Sequence, residues 1–341
     1  MRTYILMMGV VITALAGAQS DLYAQKKLAQ TGFQFLSVGT EARAAAMAEA
    51  FTTVAGNSSS IFYNPANMAR GHAFLDIAVS RNEWIAEIVH HSASVAINPA
   101  GGEYGVFAIS ALSVDYGDFF GTMVDPTTEK GYVNTGTFSP SAYAIGLGYA
   151  RALSDRFSVG GHIKYVSQSL GSSVLPVLDN RNNVISTDEV KNELQVLAFD
   201  FGTVYQTGFK SLAFGMTVRN FSKEVKYQNE GFQLPLTFKI GISMNVLDLF
   251  MEQNDQHSFL VAVDAIHPRD YSEQLNIGGE YVFMNMLALR AGYNYNYDER
   301  NITTGFGLQK AFGAHSVAID YAYTPFGVFD SVNRFSFRLG L

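Results

Sequence analysis

The feature that most constrains the fold of this chain is a series of long segments in which apolar residues alternate with small or polar ones. In 237–246 every even position is apolar: Phe238, Ile240, Ile242, Met244 and Val246. The same pattern recurs at 212–219, 287–296 and 316–323. Because successive side chains of a β-strand point to opposite faces, each segment has one apolar and one polar face. The pattern predicts an all-β structure from about residue 72 onward.

Segment length and the residues of the polar face favour a membrane barrel over a soluble β-sandwich, which also alternates. Segments such as 138–151 and 192–206 exceed the roughly five to six residues usual in soluble sheets. They match the roughly nine to eleven residues that cross a bilayer at a tilt. Small residues on the polar face would suit a crowded lumen better than a soluble surface. They include Ala144, Gly146, Gly148, Gly160, Gly202, Gly278, Gly305 and Gly307. Low charge content (16%) and abundant aromatic residues (13%) agree with this interpretation.

The segments predict a transmembrane β-barrel of about fourteen antiparallel strands over residues 72–341. The predicted spans are 72–82, 88–98, 103–115, 138–151, 156–169, 192–206, 211–220, 235–246, 257–267, 274–283, 286–296, 302–310, 313–324 and 333–341. Short turns and long links (116–137, 170–191 and 221–234) alternate, as they do between the periplasmic and external rims of bacterial barrels. The last predicted strand would pair with the first and remove free edges.

The N-terminal region predicts an export signal followed by a plug. Arg2 precedes a short apolar run, and cleavage is expected after Ala18 or Ala24, so 1–24 is the predicted signal peptide. The small-residue-rich stretch 25–71 precedes the barrel segments and predicts an N-terminal helical hatch inside the barrel. Helix-then-strand order alone would equally allow a helix packed on the outside of a sandwich.

Charged residues on the predicted inward faces are the candidate lumen groups. They comprise Asp76, Asp200, Asp264, Glu280 and Asp320, together with Lys164, Arg219, Lys239, Arg290 and Arg338. Because acids and bases balance, we expect structural pairing between wall and plug rather than a strongly selective ion pore. A polar substrate track is the alternative.

Other classes of site find little support in the sequence. A net charge of −7 without a basic stripe argues against nucleic acid as a partner, and the chain has no Cys. His90 and His91 would point to opposite faces of a strand and cannot share a metal ion. The acidic link around Asp179 and Glu189 lacks calcium-loop spacing. Since no hydrolase or P-loop motif appears, we expect neither an enzyme, a metal nor a cofactor.

Aromatic residues in the predicted external links are candidate contact residues. Trp84 is the only Trp and could anchor at the membrane interface or contact a partner. Tyr116, Phe119 and Phe120 lie in the link 116–137 and could form an exposed apolar patch with Met123.

The N-terminal stretch resembles a known family of outer-membrane barrels. Phe35-Leu36, Gly39, Ala42-Arg43-Ala44, Met47 and Phe62-Tyr63-Asn64-Pro65-Ala66 are similar to the N-terminal signature of the PorV/PorQ family, within the FadL-like group. Ala48-Glu49-Ala50 departs from that signature, which usually has Gly after Met. The resemblance implies a fourteen-strand barrel with a hatch, whose motif residues are Arg43, Met47, Phe62, Tyr63, Asn64, Pro65 and Ala66.

The resemblance leaves two functions open. PorV/PorQ-type members serve the type IX secretion system and bind exported cargo or secretion-system proteins. FadL-type members pass hydrophobic small molecules across the outer membrane. Passive transport requires a continuous apolar pocket between hatch and wall, lined by residues such as Phe33, Phe35, Phe51 and Phe62. The small and charged inward positions favour the secretion-linked role. Both hypotheses place the chain in the bacterial outer membrane, in contact with its lipid.

Overall fold

The structure is a computed structural model, and it describes residues 31–54, 56–180, 184–227, 230–251 and 256–341. The predicted signal peptide and the first residues of the predicted hatch (25–30) lie outside these ranges. Within them, no helix combines the length and the apolar character that a membrane crossing requires.

The described residues form a closed antiparallel β-barrel of fourteen strands. In chain order the strands are β1 (Leu75–Glu83), β2 (Val89–Ile97), β3 (Val106–Asp115), β4 (Phe119–Val124), β5 (Tyr132–Phe138), β6 (Ser141–Ala152), β7 (Phe157–Leu178), β8 (Val184–Gln206), β9 (Ala213–Ser222), β10 (Val225–Lys226), β11 (Gly231–Phe232), β12 (Thr237–Asn245), β13 (His257–Pro268), β14 (Gln274–Phe283), β15 (Leu287–Tyr295), β16 (Ile302–Phe312), β17 (His315–Pro325) and β18 (Ser331–Gly340). The pairs β4–β5 and β10–β11 form separate hairpins, and the others make up the barrel.

Closure is made by the last strand against the first. β18 pairs with β1 from Asp76↔Gly340 to Glu83↔Asn333, and β1 pairs with β2 on its other side. The barrel therefore has no free edge along this seam, as the sequence predicts.

Each of the fourteen predicted segments corresponds to one barrel strand, but the prediction was wrong for parts of the three long links. The link 170–191 contains the continuation of β7 and β8 into a hairpin beyond the barrel rim. β-Branched residues such as Val174, Val177 and Thr187 support these strand extensions. Gly171 and Pro176 interrupt the alternation there, which hides the hairpin from a pattern search. The other two long links contain the hairpins β4–β5 and β10–β11.

The outer and inner faces of the barrel wall carry the residue types that the alternation predicts. On β3, Phe107 and Ile109 are half exposed on the outer, lipid-facing surface, whereas Ala108 and Ser110 are buried on the inner one. On β2, His90 is buried and His91 is exposed, so the two imidazoles do lie on opposite faces.

The described residues 31–54 and 56–71 cross the lumen and form the hatch. At its start, Thr31 bridges to Gln233, next to the β10–β11 hairpin on the rim that has the long links, which we call the long-loop rim. At its end, the Gly71 carbonyl accepts a hydrogen bond from Asn98, near the opposite, short-turn rim. Its helical content is limited to α1 (Ala42–Ala46) and short 3-10 turns at Gln34–Ser37, Ser58–Phe62 and Pro65–Arg70. The hatch is therefore held mainly by contacts with the wall and not by its own helices.

Candidate functional site: a plugged lumen and an open vestibule

The Asn64-Pro65-Ala66 element of the hatch lies directly on two wall glycines. Asn64 caps the following 3-10 turn by accepting a hydrogen bond from the Ala66 N–H (3.1 Å), and its Nδ2 donates to the carbonyls of Thr52 (2.8 Å) and Thr203 (3.2 Å). A Cβ atom on Gly160 would lie 2.5 Å from the Ala66 nitrogen, and one on Gly202 would overlap Asn64 Oδ1. These glycines are therefore needed for close approach of the hatch.

Other wall glycines receive the rest of the hatch in the same way. A Cβ atom on Gly278 would lie 2.5 Å from the Met47 carbonyl oxygen, and one on Gly148 would lie 2.6 Å from Ile61. Gly292 and Gly305 are equally close to Ala48 and Ala46. The predicted small-residue lumen is thus occupied by the chain's own N-terminal segment.

Two wall carboxylates bind backbone N–H groups of the hatch. Asp264 Oδ2 accepts hydrogen bonds from the backbone N–H groups of Phe51 and Thr52 (both 3.0 Å) and from the Thr52 hydroxyl (2.6 Å). Asp76 Oδ1 accepts from the Ser58 N–H (2.8 Å). The N–H groups of Phe51 and Thr52 lie in a stretch of hatch without regular structure, and that of Ser58 is at the start of a 3-10 turn, so none of the three has a helical partner. The wall carboxylates therefore accept hydrogen bonds from backbone N–H groups that have no partner within the hatch.

A buried chain of charges joins the hatch to three strands. Arg43 on α1 binds Glu280 of β14 through two hydrogen bonds (2.8 and 2.6 Å). Glu280 also accepts from Arg290 of β15 (2.6 Å), which donates in turn to Asp320 of β17 (2.7 Å). The two bases and two acids balance, so the pairing predicted for the lumen is present here and includes a residue of the hatch motif. Paired in this way, the charges offset part of their large desolvation cost.

A second buried cluster connects the wall strands to one another. Asp200 of β8 accepts from His162 (3.0 Å) and pairs with Lys164 (2.8 Å), both on β7. Lys164 and Asp200 are among the predicted lumen charges, whereas His162 is not. Asn220, which accepts from Lys164 (2.6 Å), is not predicted either.

Tyr63 and Glu41 organise the start of α1. The Tyr63 hydroxyl accepts hydrogen bonds from the N–H groups of Thr40 (3.1 Å) and Glu41 (2.9 Å). Burial raises the pKa of Glu41 above its ordinary value, although the hydrogen bond from Ser59 and the charge of Arg43 act in the opposite direction. Burial also raises the pKa of Tyr63, helped by the charges of Glu49 and Glu41.

The phenylalanines that a transporter would need around an apolar pocket are instead packed. Phe33, Phe35 and Phe51 are at most 4% exposed, and Phe62 is 9% exposed. Phe51 contacts Tyr63 edge-on at 5.1 Å between ring centroids, and the Arg43 guanidinium lies 5.5 Å from the Phe51 ring. These side chains fill the space between hatch and wall.

A cavity inside the barrel lies above the hatch at the long-loop rim. This cavity of about 520 Å³, which we call the vestibule, is bounded by the hatch segment 34–39, Glu49 and strand ends. The bases Arg219, Lys239 and Arg300 line it together with the acids Glu49, Asp270, Asp298 and Glu299, and the aromatic residues Trp84, Tyr271, Tyr297 and Phe326 lie nearer the rim. A second concavity of about 820 Å³ lies on the lipid-facing side of β1–β3 and β18, outside the continuous strand ladder.

The charges of the vestibule differ from those below it. Among the described residues, neither Arg219, Lys239 nor Glu49 forms an ion pair. Arg338, the remaining predicted lumen charge, is half-buried, and its Nε also lacks a hydrogen-bond partner in the described part of the chain. Five of the ten predicted lumen charges are therefore in ion pairs, whereas Asp76 and Asp264 accept hydrogen bonds from the hatch instead and these three bases form no ion pair with the described residues. Glu49 was not among the predicted lumen charges, because the alternation of a strand does not extend to the hatch.

The predicted contact aromatics are distributed over the long-loop rim. Trp84 turns over the barrel mouth, where it packs against Phe326 (4.7 Å between centroids) and beneath Arg334 (5.4 Å), and it does not lie on the lipid-facing side. Phe119 and Phe120 of the β4–β5 hairpin are exposed, at 47% and 85%, while Tyr116 is half-buried. Met123 is buried and does not join the exposed patch.

A closed antiparallel barrel with an apolar outer surface and a plugged lumen defines a bacterial outer-membrane β-barrel protein. Residues 132–332 match the family described as type IX secretion system membrane protein PorP/SprF, and the chain belongs to this family. The matched region does not include the hatch residues that resemble the PorV/PorQ signature, so that finer assignment stays a prediction.

Solved structures with the same fold are FadL-like channels. The Pseudomonas putida toluene transporter TodX is 12% identical, with a TM-score of 0.58 over 88% of this chain and 97% of TodX. The Ralstonia pickettii toluene transporter TbuX is 12% identical, with a TM-score of 0.55 over 88% and 97% of the two chains. A Pseudomonas aeruginosa FadL homologue is 11% identical, with a TM-score of 0.51 over 89% and 98%. At these identities the likeness concerns the fold alone. A search of curated proteins finds no significant match.

Proposed function

We propose that this chain is a non-enzymatic binding and scaffold protein of the type IX secretion system, which recognises secretion-system proteins or exported cargo at its long-loop rim. The observation that carries the proposal is the combination of a filled lumen with hairpins projecting from that rim. The hatch occupies the space that a transport channel would need, whereas β4–β5 and the extended β7–β8 offer exposed apolar side chains to a protein partner.

The same proposal assigns the parts of the chain. Residues 1–24 are a signal peptide, 25–71 the hatch and 72–341 the barrel. The long-loop rim faces the cell exterior, and the short turns face the periplasm. The hatch motif residues keep the lumen closed, and the exposed Phe119 and Phe120 belong to the contact surface.

Affinity purification from detergent-solubilised outer membranes, followed by mass spectrometry, tests this role. We expect the native chain to co-purify with secretion components or exported proteins. A Phe119→Ser/Phe120→Ser variant should lose them while keeping its barrel. A matched variant on the lipid-facing wall, Phe306→Tyr, should retain them. Equal recovery of these proteins with the hairpin variant would contradict the proposed contact surface.

Passive transport of a hydrophobic small molecule is the second candidate, since the solved neighbours TodX and TbuX are toluene transporters. It requires a route past Phe33, Phe35, Phe51 and Phe62. Uptake of toluene by proteoliposomes that contain the purified chain would support it, and no uptake above empty liposomes is the result we expect.

A further inference from the structure

We infer that the vestibule is a binding site for the C-terminal residue of a peptide, whose carboxylate is held by Arg219 and Lys239 and whose backbone N–H donates to Glu49. The inference goes beyond the proposed function and stands whether or not the chain acts in secretion.

The two bases are placed to share one anion. β9 and β12 are hydrogen-bonded neighbours, with Arg219 opposite Thr237 and Lys239 opposite Thr217. Arg219 and Lys239 are therefore diagonal neighbours on the inner face, a separation that long side chains bridge. A carboxylate between them would receive charge-assisted hydrogen bonds from both.

Neither base forms an ion pair with the described residues. Lys239 is only 7% exposed, and no ion pair or hydrogen bond of its amino group is formed with the described residues. Asp264, the acid that acts most strongly on Lys239, directs its Oδ2 to hatch donors. Arg219 is half-buried, its Nη2 makes a weak contact with the Leu36 carbonyl (3.5 Å), its guanidinium lies 6.0 Å from the Tyr63 ring centroid, and its Nε is buried without a hydrogen-bond partner in the described chain. A buried cation without an ion-pair partner is costly, so a ligand anion would complement Lys239, with Arg219 beside it.

Glu49 supplies the opposite charge from the hatch. The residue is 7% exposed, and its Oε1 is buried with no hydrogen-bond partner among the described residues. Ala48 and Glu49 both have left-handed backbone angles (φ 55° and 62°), which is unfavourable for two consecutive residues that are not glycine. The wall holds this turn, because Ala48 donates to Thr303 (3.0 Å) and accepts from Asn294 (2.9 Å). Strain maintained in this way is characteristic of functional sites.

The shape and lining of the vestibule fit a peptide better than a fatty acid. A volume of about 520 Å³ is in the range of ordinary ligand sites. A C-terminal residue carries a carboxylate beside an N–H donor, which matches two bases facing a glutamate acceptor, whereas a fatty acid has no donor for Glu49. The rim aromatics Trp84 and Phe326 would contact the side chains of the preceding residues.

The single Trp84 makes the test direct, because it lines the vestibule. The full chain in detergent is titrated with acetyl-Ala-Ala-Phe, with the C-terminal amide of the same peptide and with decanoate, and Trp84 fluorescence is followed. We expect saturable binding of the acid and affinity at least about tenfold lower for the amide and for decanoate, the loss of one strong charged contact being worth that much.

Variants assign the effect to the named side chains. Lys239→Gln and Arg219→Gln should each weaken binding of the acid by about tenfold or more, while Lys226→Gln, on the β10–β11 hairpin outside the vestibule, should leave it unchanged. Two separate variants guard against a folding defect in one of them, and heat-modifiable migration in gels verifies that each barrel is folded. Equal affinity for acid and amide, tighter binding of decanoate, unchanged binding by both variants or no binding at all would overturn the inference.

Discussion

The lower lumen and the vestibule contain the same kinds of charged side chain but differ in whether these side chains form ion pairs. In the lower lumen, a chain of hydrogen bonds of 2.8 Å or less connects Arg43, Glu280, Arg290 and Asp320. The hatch also packs directly against glycines of the barrel wall there. Above, Arg219 and Lys239 line an open cavity without an ion-pair partner among the described residues. Charge in this barrel is therefore paired where the hatch closes the lumen, and it is without ion pairs at Arg219 and Lys239, where we propose that a ligand carboxylate binds.

Removing the shared acid of the lower network should have the largest effect. Glu280→Gln leaves Arg43 and Arg290 buried without their common carboxylate, and we expect a loss of about 3–5 kcal/mol in the free energy of unfolding. Chemical denaturation of the purified chain in detergent measures it. The matched change Glu83→Gln removes an exposed partner of Arg81 (3.2 Å) and should cost at most about 1 kcal/mol. Equal effects of the two changes would show that the network does not hold the hatch.

Adjacent glycines on β7 test the close approach of the hatch. Gly160→Leu directs a side chain into Pro65 and Ala66, where a Cβ atom already lies 2.5 Å from the Ala66 nitrogen, and should destabilise the chain by about 1–3 kcal/mol or more. Gly161→Leu points outward, where the nearest atom to a Cβ is 3.8 Å away, and should change the unfolding midpoint little. If Gly161→Leu were the more harmful of the pair, the inward placement of the hatch would be wrong.

Neutralising a vestibule base should cost almost nothing in stability. Lys239→Met removes a buried charge that forms no ion pair with the described residues, so we expect no loss in the free energy of unfolding and a gain of up to about 1–3 kcal/mol. The same denaturation experiment as for Glu280→Gln measures it. A loss comparable to that variant would mean that Lys239 belongs to the closing network, which would remove the distinction between the two levels.

The smallest expected effect is the pH dependence contributed by Glu41. Its pKa is raised in the folded chain, so the unfolded chain loses its proton first as the pH rises. The contribution of this carboxyl to stability is therefore complete below its ordinary pKa of 4.5 and is lost as the pH rises through the folded value. Glu41→Gln should gain stability relative to the native chain between acidic and neutral pH. Thermal unfolding of both forms across that range measures it, and a pH-independent difference would contradict the assignment.

Much of the wall could be predicted from the sequence, because a two-residue period directly reports which side chains face lipid. That period identified all fourteen barrel strands and the inward acids Glu280 and Asp264. It also identified Gly160 and Gly202, although not which hatch residues they would meet. The hairpin extension of β7 and β8 was missed, since Gly171 and Pro176 break the alternation.

The candidate site could be predicted less completely from the sequence. The hatch has no regular period, so nothing in the sequence places Glu49 beside Arg219, Lys239 and Trp84. The only signal was the departure of Ala48-Glu49-Ala50 from the expected glycine. Whether a lumen charge is paired or unpaired depends on distances of a few ångströms between segments that are far apart in the sequence. The packing of the hatch determines these distances.

A plugged lumen requires the N-terminal segment to be folded inside the barrel, and one engineered disulfide tests this directly. Ser58 of the hatch and Ser94 of β2 are buried, with their hydroxyl oxygens 3.0 Å apart, and the chain has no native Cys. In a Ser58→Cys/Ser94→Cys variant expressed in outer membranes, mass spectrometry should find nearly complete disulfide formation. A Ser58→Cys/Ser113→Cys control, whose second thiol faces outward, should form none. Free, maleimide-reactive thiols at both positions of the first variant would contradict the structure of the plugged lumen.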